Sequence, residues 1–222
     1  DNYFQSSVID FDKVRSDRST YKLLGGSIGF YGSTLNTRQY ATKGYLEKLI
    51  AQVFTGRERF EPGNPQEGYS PSPQERQSWL QISYMKEAYH TMGPKFTLGW
   101  MAEALYSSKN FSENYTATMM QAGEFAPTPH SKLMYNEAFR ANQYVAAGIK
   151  PIYVLNDMFQ FRTEFYGFTP IFPIKKNALN KAYYGKAFSR FEYMGEVSVI
   201  CHLPFGAISA YVNHYSSPRR EW

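Results

Sequence analysis

The sequence predicts an all-β protein, a transmembrane antiparallel β-barrel, and three observations lead to that prediction. The strand-like segments are long, their side chains alternate in polarity, and short and long connections alternate along the chain. A membrane-crossing strand needs about 9 to 11 residues, whereas the mean strand of a soluble protein has about 5 to 6. The long segments therefore favour a barrel over a soluble β-sandwich.

About eight strands are predicted between clusters of Gly, Pro, Ser and Asn. They lie near residues 21–31, 45–56, 78–90, 95–106, 142–155, 158–168, 188–202 and 206–215. The segment 78–90 changes parity midway, which indicates a β-bulge or a strand that runs above the membrane. We divide the chain into residues 1–20, a partial strand or loop at the start of the barrel, and residues 21–222, the barrel segment.

The segment 158–168 shows the alternation most clearly. Phe159, Phe161 and Phe165 share one parity, and Arg162 and Glu164 share the other. Because successive side chains of a strand point to opposite faces, one face is apolar and the other charged. In a soluble sandwich the phenylalanines would form the core, whereas in an outer-membrane barrel they would contact lipid and the charges would line the interior.

The connections differ in length in a regular way. Residues 156–157 and 204–205 are short links, whereas residues 57–77, 107–139 and 169–187 are long and rich in Pro, Gly, Ser or Asn. Short periplasmic turns and long extracellular loops are typical of an outer-membrane barrel. A soluble sandwich with a binding edge remains an alternative on this observation alone.

The composition fits a membrane barrel and limits the possible partners. Tyr, Phe and Trp make up 18% of the residues, which is typical of the aromatic-rich interfaces of such barrels. The formal net charge of +5 is interpreted as spread along the chain, which argues against nucleic-acid binding. The expected partner is the lipid bilayer of the bacterial outer membrane. The single cysteine, Cys201, excludes an internal disulfide.

One motif suggests catalysis. Gly25-Gly26-Ser27-Ile28-Gly29 matches G-x-S-x-G, the pattern of a serine-hydrolase nucleophile elbow. That elbow needs a sharp turn from a strand into a helix, and the residues that follow Gly29 are β-like instead. We expect Ser27 to be a small residue in a glycine-rich strand, with the hydrolase as a minor alternative, and we predict no catalytic residue.

No metal or cofactor site is predicted. The histidines, His90, His130, His202 and His214, lack the spacing of metal ligands. The sequence also contains neither a P-loop nor a dinucleotide-binding fingerprint.

The charged residues of the predicted interior form the main candidate site. Arg162 and Glu164 are neighbours on one face of a strand, and Arg140 lies in Phe139-Arg140-Ala141 at the end of a long loop. An arginine on a loop folded into the barrel could form a bidentate pair with Glu164 and fix that loop. The alternative is a set of solvated charges in a wide barrel.

At these residues the chain resembles the C-terminal barrel of the Bacteroidetes patatin-like phospholipase family, within the BamA-like (bacterial surface antigen) superfamily. The similar stretches are residues 33–44, 114–118, 139–148 and 206–215. In the superfamily a V/I-R-G-F/Y loop motif folds into the barrel, and its arginine meets an acidic residue on a following strand. The resemblance implies that Arg140 and Glu164 have these roles, although Ala141 and Asn142 replace the glycine and the aromatic residue.

The resemblance also implies a larger parent protein. Family members combine a patatin hydrolase, small periplasmic domains and a barrel of about sixteen strands. The chain is then expected to be the C-terminal half of such a barrel, about eight strands without the last one, which anchors or translocates an upstream patatin-like phospholipase or esterase domain. A complete eight-stranded pore or binding barrel is the alternative.

Overall fold

The structure of the protein is a computed structural model that describes residues 2–3, 17–63 and 76–217. In chain order the strands are β1 (Asn2–Tyr3), β2 (Asp17–Ser33), β3 (Gly44–Glu61), β4 (Arg76–Thr91), β5 (Phe96–Ser107), β6 (Gly123–Glu124), β7 (Arg140–Ala141), β8 (Gln143–Val154), β9 (Phe159–Pro170), β10 (Ile174–Lys176), β11 (Ala182–Tyr184), β12 (Glu192–Leu203) and β13 (Gly206–Tyr215). One helix, α1 (Tyr115–Gln121), and two 3-10 turns, Ser131–Leu133 and Glu137–Phe139, lie between β5 and β8.

Within the described residues, nine strands form one sheet in the order β1-β2-β3-β4-β5-β8-β9-β12-β13, and every neighbouring pair is antiparallel. Two small hairpins, β6 with β7 and β10 with β11, lie outside this sheet. The eight predicted strands are therefore confirmed. Their lengths of 10 to 18 residues exceed those of ordinary soluble strands.

The division at residue 20 falls inside β2, which begins at Asp17. Residues 4–16, most of the predicted first segment, lie outside the described part of the chain, as do residues 218–222. Among residues 2–3, 17–63 and 76–217, no helix has both the length and the apolar character needed to cross a bilayer.

The predicted bulge in the third segment is wrong. β4 pairs with β3 from Arg76 to Tyr89 and with β5 from Gln81 to Thr91, and neither register contains an extra residue. The change of parity comes from polar side chains that share a face with apolar ones. Tyr84 donates a hydrogen bond to Glu47 Oε1 at 2.6 Å, and Lys86 Nζ lies 3.7 Å from Glu47 Oε2.

The two faces of the sheet differ in composition, and we call them the outer face, which bears Phe161, and the inner face, which bears Arg162. The registers place apolar side chains, each 37% to 78% exposed, along the outer face of all eight long strands. They are Leu24, Ile28, Phe30, Leu49, Val53, Leu80, Ile82, Phe96, Val145, Ile149, Phe159, Phe161, Phe165, Val197, Val199, Ile208 and Val212.

The sheet is strongly curved toward its inner face. Tyr40, in the connection between β2 and β3, donates a hydrogen bond from its hydroxyl to Ser209 Oγ of β13 at 2.7 Å. Six strand spacings separate β3 from β13, which would be about 29 Å in a flat sheet. The four residues from Tyr40 to Gly44 span at most about 14 Å, so only a curled sheet permits this contact.

Candidate functional site

The candidate site is a network of buried charges on the inner face of β4, β8, β9 and β12. Lys150, Arg162, Glu164 and Glu196 are only 3% to 6% exposed. Each occupies the inward parity of its strand, opposite to the exposed apolar residues, and lies where the connections fold over the inner face. On β9 every second position from Gln160 to Pro170 is buried and the positions between them are exposed or half-buried, an alternation that the sequence predicted for residues 158–168.

Direct contacts connect Lys150, Arg162 and Glu164 through two further side chains, Glu87 and Tyr89. Lys150 Nζ lies 2.8 Å from Glu87 Oε1, and Tyr89 donates its hydroxyl hydrogen to the same oxygen. Arg162 Nη2 donates to the Tyr89 hydroxyl at 3.4 Å and lies 3.0 Å from Glu164 Oε1. Paired charges of this kind replace the water that each ion loses on burial.

Two glycines of the inner face make room for tyrosine rings of the network. A Cβ on Gly99 would lie 2.7 Å from the ring of Tyr89, and a Cβ on Gly148 would lie 2.2 Å from the ring of Tyr166. The Tyr166 hydroxyl in turn donates to Glu164 Oε2. Each tyrosine therefore lies flat over a neighbouring glycine and directs its hydroxyl at a carboxylate.

Glu196 is the third carboxylate of the network, after Glu87 and Glu164, and the network has two cations, Lys150 and Arg162. Glu196 lies directly opposite Glu164 across β9 and β12. Its Oε2 atom and the hydroxyl of Ser198 are buried and have no hydrogen-bond partner within the described residues. The network thus contains one more negative group than positive groups.

Arg162 fixes the connection between β2 and β3, residues 34–43, against the inner face. Its Nη1 atom donates to the Ala41 carbonyl at 3.0 Å, and Gln160 Nε2 donates to the Tyr40 carbonyl at 3.2 Å. Ala41 is 3% exposed and packs with Tyr89 and Ile152. The connection covers the short-link end of the inner face.

The connection between β5 and β8, residues 108–142, covers the opposite end. Phe125 and Phe139, each 1% exposed, pack among Tyr144, Tyr166 and Phe168 of the sheet. The ring centroids of Phe125 and Phe168 are 5.9 Å apart, and those of Phe139 and Phe168 are 5.7 Å apart. This aromatic cluster, rather than an ion pair, attaches the long connection to the sheet.

The predicted pair between Arg140 and Glu164 is not formed. Arg140 Nη2 lies 2.6 Å from Glu124 Oε2, its opposite residue across β6 and β7, and Nη1 donates to the Met120 carbonyl at 3.0 Å. The last carbonyls of α1 attract the guanidinium because they carry the negative end of the helix dipole. Glu164 instead pairs with Arg162, which lies two residues away on the same face.

The motif residues therefore have separate roles. Phe139 is part of the aromatic cluster, Arg140 stabilises α1 and the β6–β7 hairpin, and Ala141 is fully buried beside Leu105 and Tyr144. The contact of Arg162 with residues 34–43 was not predicted. No local pattern signals it, because its partners are backbone carbonyls more than a hundred residues away in the sequence.

Three groups in the long connection have shifted pKa values. Burial lowers the pKa of Lys109 to about 8, although Glu58 opposes this shift. Its Nζ lies 5.1 Å from the centre of the Trp79 ring and 5.5 Å from that of Tyr21. Burial and the neighbouring Glu137 raise the pKa of Tyr135 to about 12, and the same causes raise the pKa of Tyr115.

The structure does not place Ser27 in the setting of a hydrolase nucleophile. Ser27 lies in the middle of β2 opposite Gln52, and the strand continues to Ser33, so the turn of a nucleophile elbow is absent from this stretch. Within the described ranges no group of three or more His, Cys, Asp or Glu side chains could hold a metal ion. Arg162 of the charged network holds residues 34–43 against the sheet, whereas the aromatic cluster holds the long connection.

Comparison with protein-family models, curated proteins and solved structures finds no match to this chain.

Proposed function

We propose that this chain forms part of the wall of a transmembrane β-barrel in the bacterial outer membrane, with its outer face in contact with lipid. One observation carries the proposal: the exposed residues of β9 are three phenylalanines, whereas its buried residues include Gln160, Arg162 and Glu164. A soluble protein gains stability by burying apolar side chains, so this arrangement is the reverse of what water favours. In a bilayer the same arrangement is favourable.

The extent of the apolar outer face supports the proposal. Soluble monomers seldom expose a continuous apolar patch of more than a few hundred Å², whereas here exposed apolar side chains occur on all eight long strands. Aromatic residues mark both ends of this surface. Tyr45, Phe96 and Tyr153 lie near the short links, and Tyr106 and Tyr193 near the long connections, as in the aromatic belts of membrane proteins.

Glu47, Tyr84 and Lys86 form a polar exception on the outer face near the short-link end, and Lys22, Arg57 and Arg76 are polar outer positions toward the long-connection ends of β2, β3 and β4. Glu47 is the fourth residue of β3, close to the short-link end, and its contacts with Tyr84 and Lys86 satisfy its carboxylate. A long lysine side chain near a membrane interface can extend its ammonium group toward water. The exception is therefore compatible with a lipid-facing surface.

A section of a larger barrel accounts for the sheet better than a complete eight-stranded one. Within the described residues β13 pairs only with β12, and the inner face near β2 is uncovered, since Leu23 and Tyr31 are 49% and 66% exposed. A closed barrel of eight strands fills its interior with side chains. Further strands next to β13 and β2 would cover these positions.

We further propose that the barrel anchors or translocates a patatin-like hydrolase domain encoded upstream of Asp1. This part rests on the resemblance of residues 33–44, 114–118, 139–148 and 206–215 to that family. The barrel segment itself catalyses nothing in this proposal. The gene region that precedes the codon for Asp1 tests it: an open reading frame with a hydrolase domain supports the proposal, and a start codon at that point contradicts it.

The membrane proposal is tested by refolding the 222-residue chain from urea with and without detergent micelles. We expect folding, seen as β-sheet circular dichroism and heat-modifiable electrophoretic migration, only when detergent is present. A stable, folded monomer in detergent-free buffer would contradict the proposal.

A further inference from the structure

The connection between β9 and β12, residues 171–191, carries the whole charge excess of the protein. It contains five of the 24 Lys and Arg residues and none of the 19 Asp and Glu residues, so the rest of the chain has 19 of each sign. The interpretation that the charge is spread along the chain was therefore wrong. The five residues are Lys175, Lys176, Lys181, Lys186 and Arg190.

Four of these five cations are unpaired within the described part of the chain. Arg190 Nε lies 2.8 Å from Glu192 Oε1, which neutralises it. Lys175, Lys176, Lys181 and Lys186 are exposed and form no ion pair with a described acidic residue. Because no acidic residue lies in the connection and no described carboxylate pairs with these lysines, solvent and counterions screen their mutual repulsion.

A folded hairpin holds these lysines in place. β10 and β11 pair through Lys175 with Tyr183 and Lys176 with Ala182, and the Asn177 side chain accepts from the backbone N–H of Lys181 at 2.9 Å. Ile174, 3% exposed, packs against Met119 and Ala122 at α1. The hairpin is therefore a fixed platform, so binding a partner would require little ordering.

The connection also presents apolar side chains beside its lysines. Leu179, Phe188 and Phe191 are 62% to 78% exposed. The Phe191 ring lies over Gly167 of β9, where a Cβ would be 3.0 Å from it, and Gly167 is opposite Tyr193 on the outer face. Phe191 thus extends the apolar outer face up to the base of the hairpin.

We propose that the β10–β11 hairpin and its flanks bind the phosphate groups of anionic bilayer lipids in the leaflet at the long-connection end. The inference rests on the proposed membrane location of the outer face. Lysines that rise from an apolar and aromatic surface lie at the height of lipid headgroups. An ammonium group near a phosphate forms a charge-assisted hydrogen bond, and four such groups act together.

The test measures lipid retained by the 222-residue chain folded in dodecylmaltoside and mixed with phosphatidylglycerol or phosphatidylcholine. Gel filtration followed by phosphorus analysis gives lipid bound per chain. We expect phosphatidylglycerol to be retained in preference to phosphatidylcholine. The variant with Lys175→Gln, Lys176→Gln, Lys181→Gln and Lys186→Gln should bind phosphatidylglycerol at least tenfold more weakly, since each lysine near an anionic surface contributes about fivefold.

The controls separate this site from general charge effects. A variant with Lys22→Gln, Lys43→Gln, Lys95→Gln and Lys132→Gln removes the same charge from exposed positions elsewhere and should keep the preference. Replacing the four hairpin lysines by arginine should also keep it, because arginine retains the charge.

Several results would overturn the inference. The first is equal retention of the two lipids by the wild-type chain, and the second is an equal loss of phosphatidylglycerol binding in both glutamine variants. The third is complete displacement of phosphatidylglycerol by inorganic phosphate, which would indicate a site for a soluble anion. A chain that folds in detergent without lipid preference contradicts only this inference. A chain that is a stable, folded monomer without detergent contradicts the proposed membrane location and, with it, the inference.

Discussion

β2 and β9 have the same alternating character but different environments on the inner face. On β9 the inward Arg162 and Glu164 are 3% and 6% exposed, whereas on β2 the inward Leu23 and Tyr31 are 49% and 66% exposed. The difference arises because two connections pack on the inner face of β8, β9 and β12. These connections, residues 34–43 and 108–142, leave much of the inner face of β2 exposed. Alternation thus assigns a side chain to a face, but burial depends on what lies above that face.

The largest difference between the two regions should appear when an arginine is removed from each. Arg162→Ala leaves Glu164 buried without its cation and removes the bond to Ala41, so we expect a loss of about 3 to 5 kcal/mol in the free energy of unfolding. The matched change is Arg59→Ala on β3, whose ion pair with Glu61 is exposed at 57% and 43% of the two side chains and should contribute less than about 1 kcal/mol. Urea titrations in detergent measure both values. Equal losses of unfolding free energy in the two variants would contradict the proposed difference between the buried and the exposed ion pair.

Glycine substitutions give a second comparison of the two regions. Gly148→Ala places a methyl group 2.2 Å from the Tyr166 ring and should destabilise the fold by about 1 to 3 kcal/mol. Gly26→Ala on β2 has no atom within 4 Å of the new methyl group, and we expect a change within about 0.5 kcal/mol. Thermal unfolding in the same detergent is the measurement. Gly26 lies opposite Val53 on the outer face, so a large loss at Gly26 would contradict the open surroundings of β2 on that face.

Arg140 and Arg162 should control different connections. Arg140→Ala removes the contacts with Glu124 and the α1 carbonyls, which should lower the local free energy of opening by about 1.5 to 3 kcal/mol. Amide hydrogen exchange in residues 108–142 should therefore accelerate about tenfold or more. Arg162→Ala should accelerate exchange in residues 34–43 instead. If both variants loosened the same connection, the assignment of the two arginines would be wrong.

Lys109 gives the smallest predicted effect, a pH dependence where the long connection contacts Tyr21 of β2 and Trp79 of β4. Burial lowers the pKa of Lys109 in the folded state to about 8, below its unfolded value, so the folded state loses this proton first. Stability should therefore rise as the pH increases from 7 to 9, by up to about 1 kcal/mol. Lys109→Met should remove that rise. An identical pH profile in the variant would contradict the shifted pKa.

The eight long strands and their faces were predictable because period-two alternation and strand length are local properties. The β6–β7 and β10–β11 hairpins, α1 and the two-residue β1 were not predicted, since short elements depend on the surface against which they pack. The partner of Arg140 was predicted incorrectly. Its contact with Glu124 depends on a hairpin of two-residue strands, and the contact of Arg162 with Ala41 spans 121 residues, which no local pattern encodes.

The central claim is that the outer face contacts lipid and the inner face does not. Single tryptophans test it directly in a chain whose native Trp79, Trp100 and Trp222 are replaced by phenylalanine. After reconstitution into vesicles that contain brominated phosphatidylcholine, we predict strong quenching for Phe161→Trp on the outer face and weak quenching for Tyr144→Trp, whose position is 1% exposed on the inner face. Equal quenching at the two positions, or no incorporation into the vesicles, would contradict the claim.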